Sequence, residues 1–286
     1  MSALARLDRA RRLLDSGPSP ALPGQTVIAT DPPLAVLSLF SGIGGLELGL
    51  ERAGMRTVGQ VEINPYCQRV LAHHWPEVPR HDDVRTTLAW WDSQPRPGVD
   101  VVAGGFPCQP FSLAGKRLGT TDERWMWPAM ADVVRRLRPR YVVLENVGDL
   151  VRDADAFGWI LGDLADCGFD AVWAVLSAPQ FGAPHAARKR LYLVAHPPRL
   201  HGTQRNRLDQ GRDRRSPLTT GGLPGLPLAA RRESAQAWLA TQPDVDLLVD
   251  GLPGRVDQLA AYGNAVLPVA GEHIGHLIVA DAHTNP

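Results

Sequence analysis

The chain has 286 residues, 44% of them hydrophobic, and its 30 lysines and arginines balance its 30 aspartates and glutamates. This length and apolar content predict one large domain with a smaller unit beside it. The zero net charge excludes nucleic-acid binding through overall positive charge, so any attraction to phosphate must be local.

Residues 1–33 are predicted to precede the main domain. Residues 1–16 have the pattern of a short amphipathic helix with leucines near one face, and they lack the apolar core of a signal peptide. Residues 17–33 contain five prolines and are interpreted as a linker. The main domain is therefore predicted to begin at about Leu34.

The first predicted strand, residues 34–40, leads directly into the glycine turn Ser41-Gly42-Ile43-Gly44-Gly45 and then a short helix. Strand, turn and helix in this order form the first unit of a doubly wound nucleotide-type fold. The dinucleotide motif would need a third glycine at position 47, where the chain has Glu47. The pattern therefore favours an adenosyl ligand without a pyrophosphate, although a plain tight turn would have the same glycines.

An acidic residue follows the second predicted strand. Residues 56–61 have a strand-like pattern, Glu62 comes next, and Asn64-Pro65 opens a helix. The distance from the glycine turn is close to the roughly 20 residues typical of a carboxylate that binds a ribose diol. Alone, Glu62 would also fit a solvated acid at a strand end. Together with the glycine turn, it indicates an adenosyl cofactor.

A cysteine between two prolines follows the predicted strand Val99–Ala103, in the segment Gly104-Gly105-Phe106-Pro107-Cys108-Gln109-Pro110. Proline restricts the backbone on both sides of Cys108, which suits a nucleophile that must be aimed. The alternative is a buried structural thiol, since free cysteine is among the most buried residue types. The other two cysteines are predicted to pack in helices. The absence of Cys-x-x-Cys spacing argues against a zinc site and a disulfide framework.

The rest of the chain predicts alternating strands and helices up to about Ala195. The clearest strands are residues 141–144, 171–176 and 191–195, and the helices are residues 128–137, 156–167 and 268–279. We therefore predict an α/β fold with a doubly wound, mostly parallel sheet. Residues 197–254 are irregular and rich in arginine, and residues 255–286 are predicted to return to the main domain. No apolar run is long enough to span a membrane.

These motifs, in this order, resemble those of the cytosine-C5 DNA methyltransferase family. The resemblance covers residues 34 to about 195 and about 255 to 280, and it implies the fold of S-adenosylmethionine-dependent methyltransferases. It also implies S-adenosylmethionine as the cofactor and no metal. The positions that would contact the cofactor are Phe40, Ser41, Gly42, Gly44, Gly45, Glu62, Ile63, Asp83, Val84, Pro107, Asn264 and Ala265.

The same resemblance assigns catalytic roles. Pro107-Cys108-Gln109 is similar to the nucleophile motif, and Glu145-Asn146-Val147 matches the Glu-Asn-Val triplet of the family. Arg188 and Arg190 are assigned to the two arginines of the Gln-x-Arg-x-Arg motif. Here the chain departs from the pattern, because His185 stands where glutamine is common and the segment is one residue longer.

Cysteine chemistry explains why the family needs these residue types. A thiolate that adds to C6 of cytosine makes C5 nucleophilic, and a protonated Glu145 would stabilise the charge that reaches N3 and O2. The base must leave the duplex for this reaction, so the loop after Cys108 is expected to close over it. DNA contacts in that loop are assigned to Gln109, Ser112, Lys116 and Arg117, although an ordinary polar surface loop would contain similar residues.

The arginine-rich residues 197–254 lie where the family inserts its target-recognition region. The resemblance implies a double-stranded DNA partner, no membrane association and a monomer in the cytoplasm, either nucleoid-associated or virus-encoded. The resemblance leaves open whether a cognate restriction endonuclease acts on the same site without forming a stable complex. An RNA cytosine-C5 methyltransferase of the same fold and a catalytically idle DNA- or cofactor-binding protein are the alternatives.

Overall fold

The computed structural model describes residues 32–107, 125–181, 188–198 and 265–285. Within these ranges the backbone forms a single seven-stranded sheet flanked by helices. The predicted N-terminal helix and linker (residues 1–31) and most of the arginine-rich region lie outside the described residues. The strands are β1 Ala35–Leu39, β2 Arg56–Val61, β3 Arg80–His81, β4 Val101–Gly104, β5 Tyr141–Val147, β6 Asp170–Ser177 and β7 Lys189–His196.

The strands lie in the order β3-β2-β1-β4-β5-β7-β6. All neighbouring pairs are parallel except that β7 runs antiparallel to both β5 and β6. The order reverses between β1 and β4, and in open α/β sheets a ligand crevice lies at such a reversal, beyond the carboxyl ends of the strands. The predicted doubly wound, mostly parallel sheet is thus confirmed.

Six α-helices cover this sheet within the described residues. They are α1 Gly45–Arg52, α2 Pro65–His74, α3 Thr87–Asp92, α4 Trp127–Leu137, α5 Ala154–Asp166 and α6 Pro268–Thr284. The three long predicted helices are confirmed, with ends shifted by up to five residues. The start of α2 has a clear local cause, since the Asn64 side chain accepts hydrogen bonds from the N–H groups of Tyr66 and Cys67, and Pro65 occupies the first turn.

The core consists of two layers, one on each face of the sheet. Successive strand residues point to opposite faces, so Leu37 of β1 packs in one layer and Val36 packs in the other. Helices α4 and α5 cover the first face, while α1 and α6 cover the second. This arrangement explains why β1 is buried along its whole length and is apolar except for Ser38.

Helices α1 and α6 approach each other closely because glycines line their contact. A Cβ atom at Gly49 would lie 2.3 Å from the Pro268 carbonyl oxygen and 2.6 Å from the Glu272 amide nitrogen. A Cβ atom at Gly275 would lie 2.5 Å from the Ala53 Cβ. The Tyr141 hydroxyl also bonds Asp281 at 2.9 Å in the buried interior, which attaches α6 to β5. Helix α6 therefore packs against α1 and β5.

We expect Gly49→Ala to lower the free energy of unfolding by about 1–3 kcal/mol, because the added methyl group meets backbone atoms that cannot rotate away. Gly158→Ala is the matched control. Nothing lies within 4 Å of a Cβ at Gly158, and this helical site should gain about 0.5–1 kcal/mol. Urea unfolding of both variants is the measurement, and equal stability of the two would contradict the close packing.

Candidate active site

The turn after β1 adopts a backbone that glycine favours. Gly42 and Gly44 have φ of 56° and 88°, and Phe40 has φ of 56° although it carries a side chain. A Cβ at Gly44 would lie 2.3 Å from the Trp75 ring, so Trp75 also requires glycine there. A non-glycine residue in this region of φ is uncommon and marks local strain, which occurs often at ligand-binding turns.

Glu62 connects this turn to the next strand and helix. One carboxylate oxygen accepts the Gly42 N–H at 2.7 Å, and the other accepts the Asn64 N–H at 2.7 Å. The Gln68 side chain donates to the Glu62 carbonyl oxygen at 2.6 Å. Because a carboxylate has about four acceptor positions, Glu62 retains the capacity to accept hydroxyl donors from a ribose. The next residue, Ile63, has a large apolar side chain that is 68% exposed, whereas Glu62 is half-buried.

Asp83 and Val84 lie just beyond the end of β3. The Asp83 side chain caps the short 3-10 helix Val84–Thr86 and forms an ion pair with Arg85 at 2.7 Å. Hydrogen bonds from Arg85 lower the pKa of the Asp83 carboxyl, so it is ionised at neutral pH. Val84 is buried in the core. Asp83 therefore presents an acceptor at the same edge of the sheet as Glu62.

The start of the C-terminal segment packs directly on the glycine turn. A Cβ at Gly45 would lie 2.3 Å from the Val266 carbonyl oxygen, so only glycine permits this approach. Arg188 donates a hydrogen bond to the carbonyl oxygen of Ala265, which joins the amino end of β7 to the same segment. Residues more than 200 positions apart in the sequence thereby form one wall of the site.

Glu145 is a buried acid within reach of an arginine. Its side chain is 9% exposed, and Arg190 Nε lies 2.9 Å from Glu145 Oε1 in an ion pair rather than an aligned hydrogen bond. Burial raises the pKa of the Glu145 carboxyl to about 6, against the opposing positive charges of Arg190 and Arg188. A Cβ at Gly105 would lie 2.8 Å from Glu145 Oε2, so glycine there leaves space for the acid.

Asn146 is a positioning residue that the sequence analysis named within a motif but did not include in the site. It is 4% exposed, and its side-chain amide donates to the Phe106 carbonyl oxygen at 3.1 Å. Its side-chain oxygen accepts the Val147 N–H at 2.8 Å. Asn146 thus attaches β5 to the segment that leads to Pro107. The signal for Asn146 in the sequence was its position directly after the predicted catalytic acid.

The sequence predicted a strand that ends at Leu144, but β5 continues to Val147. The cause is β7, which pairs antiparallel with these last residues and brings Tyr192 opposite Glu145 and Arg190 opposite Val147. The predicted strand 191–195 likewise lengthens to Lys189–His196. This pairing brings the side chains of Arg190 and Glu145 together.

A cleft of about 380 Å³, open to solvent, lies where the strand order reverses. Residues of the glycine turn line one side, and Gly104, Gly105 and Glu145 line the other. Glu47 also lines the cleft; it is fully buried, and burial raises the pKa of its carboxyl to about 7. Sequence reasoning noted Glu47 only as a missing glycine.

Six of the predicted site residues lie outside the described residues. They are Cys108, Gln109, Ser112, Lys116, Arg117 and Asn264. Among the described residues, no group of three or more His, Cys, Asp or Glu side chains is arranged to hold a metal ion. A search of the same residues for a helix long and apolar enough to cross a bilayer found none.

The glycine turn, the carboxylate of Glu62 and a cleft at the reversal point define a nucleotide-type α/β enzyme fold. A solved structure, the Entamoeba histolytica methyltransferase EhMeth, superposes on 87% of this chain and 99% of its own, with a TM-score of 0.58 and 15% identity. That likeness identifies the fold as a methyltransferase fold. The family model for C-5 cytosine-specific DNA methylase matches residues 34–220, and the chain belongs to this family.

Curated relatives include two type II methyltransferases. M.NgoBI of Neisseria gonorrhoeae is 35% identical over 161 residues, which are 55% of this chain and 49% of the relative. M.Eco47II of Escherichia coli is 37% identical over 167 residues, 56% of this chain and 39% of the relative. The chain thus spans half or less of the length of these relatives. Membership of the family implies use of S-adenosylmethionine.

We expect Arg190→Met to raise the pKa of Glu145 above its value of about 6, because the variant removes a positive charge that favours the ionised carboxylate. NMR titration of the Glu145 carboxyl carbon measures this change. Arg152→Met is the control, since Arg152 pairs with Asp149 at an exposed site. An unchanged or lower Glu145 pKa in Arg190→Met would contradict the ion pair.

Proposed function

We propose that this chain is a DNA (cytosine-5-)-methyltransferase, which transfers a methyl group from S-adenosylmethionine to C5 of a cytosine in a short DNA site. The observation that carries the proposal is one cleft that joins the glycine turn to Glu145 and its arginine. The glycine turn, which would bind the cofactor, and Glu145, an acid whose pKa is raised by burial, line the same cleft. This arrangement suits the transfer of a group to a heterocyclic base.

The described residues fit an adenosyl cofactor. Glu62 would accept the ribose hydroxyls, Asp83 would accept the adenine amino group, and Ile63 and Val84 would flank the ring. The glycine turn from Phe40 to Gly45, with Pro107, Asn264 and Ala265, would complete the pocket. When bound, the cofactor supplies an electrophilic methyl group on a sulfonium. The polar groups of this pocket are carboxylates and backbone amides, and they do not form a cradle for phosphates. This set suits a cofactor that has no pyrophosphate.

Cys108 is the proposed nucleophile. Its thiolate adds to C6 of cytosine, which makes C5 nucleophilic enough to take the methyl group. The C5 proton then leaves and the C6–S bond breaks, which returns the thiolate and releases 5-methylcytosine. Asn146 donates to the Phe106 carbonyl oxygen, which holds the backbone two residues before Cys108.

Glu145 supplies the proton for the ring during this addition. With a pKa of about 6, a substantial fraction of the carboxyl is ionised at neutral pH, and a base entering the cleft would exclude water and favour the protonated acid. The proton shared with N3 would stabilise the charge that the thiolate transfers to the ring. Arg190 orients the carboxyl, and Arg188 holds the closing segment through Ala265.

Access to C6 requires that the cytosine leave the stack, as base-modifying enzymes require in general. Gln109, Ser112, Lys116 and Arg117 are proposed to contact the DNA, and residues 197–254 are proposed as the target-recognition region. The catalytic and cofactor-binding domain would span residues 34–196. Residues 1–33 would precede it, and residues 255–286 would return to it.

The proposed enzyme is a cytoplasmic monomer on double-stranded DNA. The names of the relatives as type II methyltransferases support a cognate restriction endonuclease that acts on the same site without a stable complex. Bisulfite sequencing of plasmid from cells that express the chain is the direct test. Methylated cytosines in one recurring sequence would support the function and identify the site. Transfer of labelled methyl groups to RNA but not to DNA would contradict it.

We expect DNA that carries 5-fluorocytosine at the identified site to trap the enzyme covalently, because the C5 substituent cannot leave as a proton. A cofactor-dependent shift of the protein band on a denaturing gel measures the adduct. Cys108→Ser is the control and should form no adduct and lose methylation, while it keeps cofactor and DNA affinity. An adduct of equal yield with Cys108→Ser would exclude Cys108 as the nucleophile.

Glu62→Ala should weaken cofactor binding by at least about tenfold, because it removes both the ribose acceptor and the hydrogen bonds that hold Gly42 and Asn64. DNA affinity should change little. Calorimetry with S-adenosylhomocysteine and with DNA measures the two effects separately. Glu77→Ala, an exposed acid on the turn after α2, is the control. Equal cofactor affinity in both variants would refute the assignment of Glu62.

A further inference from the structure

Glu47 is the second buried acid of the cleft and has no role in the proposed reaction. It lies in the first turn of α1, lines the cleft and has no exposed surface. Among the described residues that line the cleft, the only acidic side chains are Glu47 and Glu145. Glu145 is already engaged by Arg190. Glu47 therefore is the acid available to a cation that enters the cleft.

The surroundings of Glu47 compensate its charge only in part. Neither carboxyl oxygen forms a hydrogen bond of normal geometry with the described part of the chain. The backbone N–H of Glu47 itself and the hydroxyls of Ser38 and Ser41 lie near enough to lower the pKa of Glu47, and Ser41 also donates to the Ser38 carbonyl oxygen at 3.4 Å. Burial outweighs them and raises the pKa to about 7, and the negative charge of Glu51 adds to the rise.

A buried carboxyl without a partner destabilises a fold, and an apolar side chain at the same helical position would avoid this cost. The positive end of the α1 dipole offsets a part of it, since Glu47 lies in the first turn. That effect is modest and requires no burial. A buried acid in a ligand cleft is better explained by a partner that arrives with the ligand.

We propose that the Glu47 carboxylate binds the α-ammonium group of the amino-acid portion of the cofactor. The inference rests on the proposed function, because it takes S-adenosylmethionine or its product as the ligand. The amino-acid portion carries one ammonium and one carboxylate, and the ammonium needs an anionic acceptor that is shielded from water. Glu47 beside Ser38 and Ser41 provides that acceptor, and backbone N–H groups of the turn remain for the carboxylate.

Cofactor binding would then be coupled to proton release. Near pH 6 the free protein holds a proton on most Glu47 carboxyls, since their pKa is about 7, and the ammonium favours the ionised form. Affinity should therefore rise as pH increases from 6 toward 7.5. The other titratable groups that face the cleft or α1 are Glu51 on the same helix, Glu145 with Arg188 and Arg190, and Glu272 of α6 near Arg52.

Calorimetry of the full chain with two ligands tests the proposal. S-adenosylhomocysteine carries the amino-acid portion, and 5′-methylthioadenosine lacks it. We expect Glu47→Gln to weaken S-adenosylhomocysteine binding at least about tenfold and to leave 5′-methylthioadenosine binding unchanged. Glu77→Gln makes the same charge change at an exposed position on the turn after α2 and should leave both affinities unchanged.

Proton release provides a second measurement, which would not change if Glu47 had only a structural role. Titrations at pH 6 in two buffers of different ionisation enthalpy give the number of protons released. Wild type and Glu77→Gln should release most of one proton with S-adenosylhomocysteine, and Glu47→Gln should release much less. Equal weakening of both ligands by Glu47→Gln, or unchanged proton release, would overturn the proposal.

A wild-type comparison covers the case in which Glu47→Gln fails to fold. S-adenosylhomocysteine and its analogue without the α-amino group are titrated into the unaltered protein. Equal affinity and equal proton release for the two ligands would overturn the proposal, and a loss of at least about tenfold with the analogue would support it. If wild type binds neither S-adenosylhomocysteine nor 5′-methylthioadenosine, the proposed function itself fails and the role of Glu47 fails with it.

Discussion

Close backbone contact around the carboxyl ends of β1 and β4 is the constraint on which this structure depends. Glycine permits it at three places, because a Cβ at Gly45, Gly49 or Gly104 would lie within 2.6 Å of a carbonyl oxygen of a neighbouring segment. These contacts bring the turn after β1, the loop after β4 and the return of the chain at Val266 together. The cleft exists because no side chain occupies the space between them.

Electrostatics in this cleft follow from the burial of two acids that line it. The carboxyl groups of Glu47 and Glu145 are buried, and burial raises the pKa of both toward neutrality. They differ in their partners, because Glu145 has Arg190 at 2.9 Å while Glu47 has its own backbone N–H and two serine hydroxyls nearby. One cleft thus contains one acid with a cation of the protein and one without. Glu62 and Asp83, at the open edge, are acceptors bonded to backbone or arginine donors.

Local patterns predicted much of the fold because each element had a strong signal of its own. The mostly apolar sequence of β1, the glycines after it and the Asn-Pro pair before α2 identified the first strand, turn and helices correctly. Boundaries were less accurate where pairing extended a strand. Val147 belongs to β5 only because β7 lies beside it, and nothing local to residues 145–147 indicates that neighbour.

Sequence alone determined the class of fold, the order of motifs and the family, because glycine turns, strand-end acids and apolar periodicity are local properties of the chain. Tertiary structure decided which of these residues meet. It paired Arg190 with Glu145, bonded Arg188 to Ala265 and buried Glu47 at the cleft. Those contacts depend on an antiparallel strand and a helix that come from distant parts of the sequence. Burial, and with it the change in the pKa of an acid, arises only when such segments pack together.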